Sequence, residues 1–586
     1  MKDILLNPKL NNRVYQDERT KEICEKTIEF FEKKGLAKIK DDNLKLTWYS
    51  DFLDFVKENK IFATLLTPAP YGGDNRDARW DTWRICQYNE ILSFYGLCYW
   101  YTWQVSILGL GPIWQSKNEP LKKKAAQLLD NGAIFAFGLS EREHGADIYS
   151  TSMQLIPQAD GTYLANGEKY YIGNGNKAEM VSTFWKITDS DGNYKEKTTT
   201  KDKDDYVWFV ANYHNEKNYD CKKNLVATQS YVANYALNDY PITEDEILSK
   251  ADAAWDATMN TINIGKFNLG WASIGICTHA FYEALDHAAN RVLFDHYVTD
   301  FTHIKQYFVE AYIRLISMKL FALRGVDYMR KANLEDRRYL LYNPMVKMKV
   351  TMQGEVVMDL LFDIIAAKGF EMDTYFEMGI RDIRALPKLE GTVHVNMALV
   401  LKFMANYFLK HQDFPKVPKG DEIKDDEFLF DQGPAKNLAS ITFHDFMKVY
   451  ESIDVEKVPN VEIFKEQLAL MREFTLKATP NKKQAEDFHF LLKGGELFAL
   501  VVYGQLLIEA AQIYEIGDDL LDQMFDVIVS DFSKFALELY QSHTTKKKQE
   551  DYLLQIIKKP KTNKERFERI WKEHILALKG TYKMND

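Results

Sequence analysis

The chain has 586 residues, a formal net charge of −10, and 46% hydrophobic and 13% aromatic residues. That length exceeds the roughly 250–300 residues at which a single core stops growing, so several domains with sizeable cores are expected. The acidic balance argues against a nucleic-acid binder. Five scattered cysteines with no CxxC pair argue against a disulfide framework or a zinc site, and read as reduced thiols of a cytoplasmic protein.

The first residues, MKDILLNPKLNNRVYQDERT, mix acids and bases around no long apolar core, unlike a secretory signal or a transit peptide. Residues 1–132 then read as a helical domain. Thr20 to Gly35 is a charged amphipathic helix with Ile23, Ile28, Phe30 and Phe31 on its apolar side and Gly35 as its stop. Tyr49 to Asn59 is a second helix, and TPAPYGGDNRD is a loop by its Pro and Gly density. Trp80 to Leu110 is an apolar helix, with a break expected at Gly96 and a stop at the GLGP that follows. Ile91 to Gln115 carries no charge and is long enough to span a bilayer. Its Ser93, Thr102, Gln104 and Ser106 favour a buried central helix instead. Leu121 to Gly132 closes the domain as a short Lys-rich helix.

Residues 133–250 change to strand texture, expected as a small β-barrel or sandwich. Strands are placed at Ala133 to Ser140, Gly161 to Tyr171, Tyr206 to Tyr213 and Leu225 to Tyr240. Asn166-Gly167 is a type I′ hairpin signal, and Thr188 to Asp205 a solvated loop. Residues 251–411 return to helix. Ile274, Cys277, Phe281 and Leu285 recur at helical spacing, and Val356, Val357, Leu360, Leu361, Ile364 and Ile365 mark a wide apolar face. Two prolines and a charge run in HQDFPKVPKGDEIKDDE mark the next boundary. Residues 412–586 are again helical, most apolar from Phe488 to Tyr514. The apolar Leu497 to Ala511 within that stretch reads as too short to span a membrane. It is expected in the core or at a subunit contact, with peripheral membrane contact the lesser reading. The fold class is therefore α+β, mostly α: two helical domains around a β module, plus an additional helical domain.

One stretch carries candidate chemistry. In RDIRALPKLEGTVHVN, Pro387 ends the preceding helix near Arg384 and Thr392 can cap the next, running from Val393 to Phe408. Glu390 then sits on the bridge between two helices, a placement that suits a general base. A Glu in a connecting loop is ordinarily a solvated surface charge, so the local pattern alone does not assign it.

Three separated stretches together resemble the acyl-CoA dehydrogenase family. FGLSEREHGAD (Phe137 to Asp147) is similar to the family's first β-domain signature. NGEKYYIGNGNKA (Asn166 to Ala178) is similar to the one that follows it, and AAKGFEMDTYFEMGIRDIRALPKLEGT (Ala366 to Thr392) to the closing signature. The resemblance covers roughly residues 20–410, and residues 412–586 look like the extra helical domain of the long, mostly dimeric members. It implies FAD bound between the β domain and the second helical domain. The implied reaction is α,β-desaturation of an acyl-CoA, with Glu390 as the catalytic base and electrons passing to an electron-transfer flavoprotein, as in fatty-acid β-oxidation. An acyl-CoA oxidase, or a flavoprotein of this fold that does not desaturate, are the alternatives. A homodimer or homotetramer without a metal is implied.

By the same resemblance Phe137, Leu139, Ser140, Ala146, Tyr171 and Gly173 belong to the flavin side. Arg291 and Phe294 would reach the FAD of a partner subunit, Thr392 and His394 would contact its adenosine side, and Lys266 and Gly391 would serve the substrate. Several positions depart from the family pattern. Tyr171 stands for a Trp, Gly173 for a Thr, Ala146 for a Ser, Lys266 for an Arg and Phe301-Thr302 for a His-Gln. Asp363 and Ala366-Ala367 replace a Gln and a Gly pair near the dinucleotide.

Overall fold

The structure is a computed structural model that describes residues 4–10, 13–194 and 202–586. The first long helix, Glu18–Lys34, begins where the Asp17 side chain accepts the Thr20 N–H and stops at Gly35, whose φ of 76° needs glycine. Two short helices that the sequence pattern does not announce, Leu36–Leu44 and Ile61–Leu66, flank the expected second one, found at Ser50–Glu58. The charge-free run breaks at Gly96 into Thr82–Tyr95 and Leu97–Gln115. The stop expected at GLGP does not occur. Pro112 lies in the last turn of the Leu97–Gln115 helix, where its missing donor costs only one helical hydrogen bond. This central helix is buried on all sides, with only Tyr101 and Gln115 partly accessible.

The middle domain is one eight-stranded sheet in the order β6-β7-β3-β2-β4-β5-β8, with β1 alongside β4. The strands are β1 Phe135–Gly138, β2 Gln154–Pro157, β3 Tyr163–Gly173, β4 Met180–Ile187, β5 Tyr206–Ala211, β6 Tyr219–Asn224, β7 Val232–Ile242 and β8 Ile247–Lys250. Asn166-Gly167 is not a hairpin turn but lies inside β3. The pairing with β7 slips by one residue there, with residues 238 and 239 of β7 opposite Asn166, and Asp239 takes φ 45°, so β7 forms a bulge facing the pair. The β2–β3 turn falls instead at Gly161, where Gln158 N–H donates to the Thr162 carbonyl at 2.8 Å. The strand expected from Leu225 begins only at Val232, as β7: residues 225–231 turn the chain between β6, which ends at Asn224, and β7. Part of the expected loop at 188–205 lies outside the described residues. Trp208 joins the sheet to the helices. It stacks on Phe137 and donates to the Ala254 carbonyl at 3.0 Å and to Thr258 Oγ1 at 2.9 Å.

The second helical region comprises Ala251–Lys266, Asn268–Asn290, Thr302–Arg330, Thr351–Ile365, Tyr375–Ile383 and Val393–Leu409. Ile274, Cys277, Phe281 and Leu285 are all buried, as their spacing predicts. In the Thr351–Ile365 helix the apolar face is narrower than its pattern, with Val356 exposed and Leu360 half-buried. Beyond it stand Pro459–Lys477, Phe488–Ile513 and Asp518–Tyr540. The Phe488–Ile513 helix has 26 residues and is long and apolar enough to cross a membrane, which overturns the expectation that it is too short. Yet 78% of its most apolar window is buried inside the protein. Tyr503 packs on Phe321 and Glu509 pairs with Arg324 at 2.7 Å, so its surface is taken by other helices.

The boundary segment near residue 412 is not a solvated linker. Asp425 accepts the backbone N–H groups of Trp80 at 2.6 Å and Ala69 at 2.9 Å, and Asp426 accepts that of Thr82 at 2.7 Å. Arg330 lies between Asp81 and Asp426, 3.3 Å from each, and all three are buried. The charge run thus straps the second helical region to the first. A second tie comes from residues 579–585. Tyr582 Oη donates to Glu32 Oε1 at 2.9 Å, Asn585 Nδ2 donates to the Glu32 carbonyl at 2.8 Å, and Leu36 N–H donates to the Asn585 carbonyl.

Removing Asp426 leaves Arg330 with Asp81 alone and the buried Thr82 N–H without its acceptor. Asp426→Ala is therefore expected to lower unfolding stability by about 1–3 kcal/mol and to expose the strap to trypsin at Lys416, Lys419 and Lys424. Urea unfolding and limited proteolysis check this; an unchanged digestion pattern would remove the strap's role.

Candidate active site

The bridge around Glu390 is built as its residues require. The Tyr375–Ile383 helix ends with Arg384 as its cap, the chain passes Pro387, and the Thr392 hydroxyl accepts the Val395 N–H to start Val393–Leu409. Glu390 itself adopts φ 52° and Gly391 φ 83°. A left-handed backbone is natural for glycine but costs roughly 1 kcal/mol for Glu, so surrounding contacts must hold it. Lys347 does so, with its Nζ donating to the Pro387 carbonyl at 2.7 Å and the Gly391 carbonyl at 2.6 Å. Asn396 Nδ2 adds bonds to the Gly391 and Thr392 carbonyls at 3.1 and 3.0 Å. Lys347 projects from a π-helical turn, Val346–Val350, a distortion that frequently occurs at functional sites.

The Glu390 carboxylate accepts two bonds from one donor, Gln104 Nε2, at 2.8 Å to Oε1 and 3.1 Å to Oε2. Burial pushes its pKa up to about 7, against the lowering effects of the Gln104 hydrogen bond and of Lys347 and Lys266. The lysines respond in the opposite sense. Burial brings Lys266 down to about 8 and Lys347 to about 7, each held up in part by the charge of Glu390. A carboxylate and two amines thus share one low-dielectric site and titrate close to neutrality, the usual mark of a catalytic centre. Lys266, predicted to lie near the base, is there, with its Nζ 3.4 Å from Asn396 Oδ1.

The central helix joins this carboxylate to the β domain. A Cβ at Gly173 would stand 2.6 Å from Val105 Cγ2, 2.7 Å from Tyr101 Cε1 and 2.9 Å from Tyr101 Oη. Gly173 is therefore where β3 meets the helix closely, and Thr in its place would require the Val105 and Tyr101 side chains to shift. Tyr101 also lies within the field of Glu390, whose charge adds to burial in raising the phenol's pKa. Leu139 and Ser140 lie half-buried beyond the end of β1, beside β3. The Ser140 carbonyl accepts the Tyr170 N–H at 2.9 Å and the Leu139 carbonyl accepts Lys169 Nζ at 3.1 Å. Tyr171 is 59% exposed with φ 64° and leans edge-on against Tyr170. Phe137 is committed to Trp208.

Other expected site residues stand apart. Ala146, Thr392 and His394 are exposed. Arg291 contacts His287 at 3.3 Å and Phe294 is 87% exposed on the hairpin 292–297. Ala366 holds φ 55° and ψ −140° at the end of its helix, a conformation ordinarily left to glycine.

Sequence reading missed Gln104, Tyr101, Lys347 and Asn174. Asn174, with φ 59°, donates to the Thr102 and Phe135 carbonyls at 2.9 Å each and so fastens β1 to the central helix. A usable signal existed for Gln104 and Lys347. Each is a polar or charged residue inside an apolar helical run, and burial obliges it to find a partner.

A model of the acyl-CoA dehydrogenase C-terminal domain matches residues 254–405. The mitochondrial very long-chain specific acyl-CoA dehydrogenase of Bos taurus is 25% identical over 279 residues, 46% of this chain and 41% of that one. The short-chain specific enzyme of Megasphaera elsdenii is 22% identical over 290 residues, 49% of this chain and 72% of that one. The match thus spans less than half the length of the bovine relative. The solved structure of an acyl-CoA dehydrogenase complexed with FAD from Bacillus anthracis superposes with a TM-score of 0.71. It covers 98% of both chains at 16% identity, so the shared fold includes the helices after residue 412. In its matched helical domain, its relatives and its fold, the chain is similar to the acyl-CoA dehydrogenases.

Proposed function

We propose that the chain is an FAD-dependent acyl-CoA dehydrogenase in which Glu390 removes the α-proton of a bound acyl thioester. The observation that carries this reading is the Glu390 carboxylate itself: clamped on a strained bridge, shielded, and poised to exchange a proton near pH 7. The residues present fit a flavin ring. Leu139, Ser140, Tyr171 and Gly173 gather at neighbouring ends of β1 and β3, and Tyr171 leaves an aromatic face open for a planar group to cover. Bound there, FAD would supply the acceptor for the hydride leaving the β-carbon.

The remaining work falls to the chain's own groups. Glu390 must be ionised to accept the proton, and Gln104, Lys347 and Lys266 all favour that form. The backbone at Glu390 and Gly391 is held by Lys347 and Asn396, which keeps the thioester side of the site rigid. Electrons would pass on to an electron-transfer flavoprotein, in fatty-acid oxidation in the cytoplasm. The exposed Val292, Phe294 and Tyr297 support self-association as a dimer or tetramer.

Purified protein is expected to show a flavin spectrum that bleaches on anaerobic addition of acyl-CoAs. A colourless protein that cannot be loaded with FAD would sink the proposal, and hydrogen peroxide release in air would turn it towards an oxidase. Glu390→Gln should bind flavin yet slow its bleaching by about 10²–10⁴-fold. For the intact enzyme, reduction should accelerate as pH rises through about 7, because the base must be ionised.

Stability should move the other way. A carboxyl whose folded pKa exceeds its unfolded value makes the fold less stable as pH rises from the ordinary carboxylate range through about 7. Glu390→Gln removes that cost, so it should be about 1–2 kcal/mol more stable than wild type at pH 8 and gain little at pH 4. Denaturant titrations at the two pH values check the sign.

A further inference from the structure

Behind Glu390 and its partner Gln104 runs a file of buried side chains to which the proposed reaction assigns no part. The indole N–H groups of Trp100 and Trp103 both donate to Asn89 Oδ1, each at 2.9 Å. Asn89 Nδ2 donates to Asn268 Oδ1 at 2.9 Å, and Asn268 Nδ2 donates to Gln104 Oε1 at 3.0 Å. Gln104 Nε2 is then left to face the Glu390 carboxylate and the Gly265 carbonyl, 3.1 Å away. Asn89, Asn268 and Gln104 are all at most 1% exposed.

The direction of this file is not arbitrary. An amide offers an acceptor at one end and donors at the other, and each could be turned over without changing its shape. An indole can only donate. Two indoles facing one atom of Asn89 fix that atom as the oxygen, which fixes the nitrogen towards Asn268, and so on to Gln104. At the far end a carboxylate and a carbonyl can only accept, so both ends of the file demand the same polarity. Turned over, Gln104 would present its oxygen to a carboxylate.

We propose that Trp100 and Trp103, acting through Asn89 and Asn268, lock Gln104 as a hydrogen-bond donor to Glu390 and so hold the base in its ionised, aligned form. Asn89, Asn268 and Gln104 are positioning residues. The inference rests on Glu390 being the base. The other groups acting on its carboxylate are Lys347 from the π-helical turn, Lys266 from the end of the Ala251–Lys266 helix and Tyr101 from the central helix. None belongs to the file, so substitutions within it leave these influences in place. The Gln104 hydrogen bond lowers the Glu390 pKa against burial. Losing it should raise that pKa by about one to two units, as expected for one charge-assisted hydrogen bond.

The test reads the titration of Glu390 itself, as the infrared carboxylate signal that Glu390→Gln abolishes, in the purified full chain without substrate. Asn268→Leu is uncharged, similar in shape and has no hydrogen bond to Glu390, yet by leaving Gln104 Oε1 without its donor it should raise the titration midpoint by part of that amount, about half a unit to one unit. The pair Trp100→Phe with Trp103→Phe keeps ring packing while removing the donors, and should raise it by a smaller amount. The acid limb of flavin reduction should move to higher pH in step. If both variants fold and leave the Glu390 midpoint where it was, the inference is overturned, because a merely structural file would change stability alone. Should Glu390→Gln prove fully active, the proposed reaction fails instead, and the titration still reports on the file.

Discussion

A polar side chain buried in the protein interior must find a partner, and the Leu97–Gln115 helix buries several at the centre of the molecule. Their partners organise everything around them. Thr102, Ser106 and Gly109 share one side and meet the sheet. Asn174 bonds Thr102, the Ser106 hydroxyl accepts the Phe135 N–H, and the Ser182 hydroxyl donates to the Gly109 carbonyl. Tyr101 and Val105 meet Gly173. Gln104 and Leu108 meet Gly265, and Gln104 reaches Glu390. A single rod thus sets the separation between the strand ends of the β domain and the carboxylate of the second helical region. Two parts of a site carried on separate domains are held in register by one helix that belongs to neither.

The electrostatics of the site follow from the same burial. An isolated carboxylate there would be neutral at pH 7 and useless as a base, while one fully paired to a lysine would be too weak a base to act. Glu390 avoids both extremes. Its direct partner is a neutral amide, and the two lysines act on it while their own donors are committed to the Pro387 and Gly391 carbonyls and to Asn396. The arrangement keeps the fold less stable above neutral pH than it could be, because burial opposes the ionised carboxylate.

Much of the architecture was legible in order and texture. Gly35, Gly96, Pro387 and Thr392 each act locally, by backbone geometry or capping, and each does in the structure what its type predicts. The failures share a cause: long-range partners overrode local signals. Asn166-Gly167 is a strong turn signal, but β7 pairs along the whole of β3 and absorbs it as a bulge. The charge run ending in Asp425 and Asp426 looks solvated until Arg330 and the backbone at Trp80 and Thr82 arrive from distant sequence. At the site, the position of Glu390 between two helices could be read from its neighbours. Gln104 and Lys347 could not be tied to it, because nothing local to a residue says which buried acceptor it will meet across some 286 or 44 positions of chain.

The clasp of Glu32 by Tyr582 and Asn585 bears on how the protein is made. The contact closes across 550 positions, so during synthesis the Glu18–Lys34 helix emerges long before the groups that cover its carboxylate. Near neighbours in the sequence already serve that carboxylate, since Tyr95 Oη donates to Glu32 Oε1 at 2.9 Å and Lys9 Nζ pairs with Oε2 at 2.7 Å. Residues 582–585 therefore complete a cluster that the first helices begin, and a contact of such high sequence separation is expected to form late in folding.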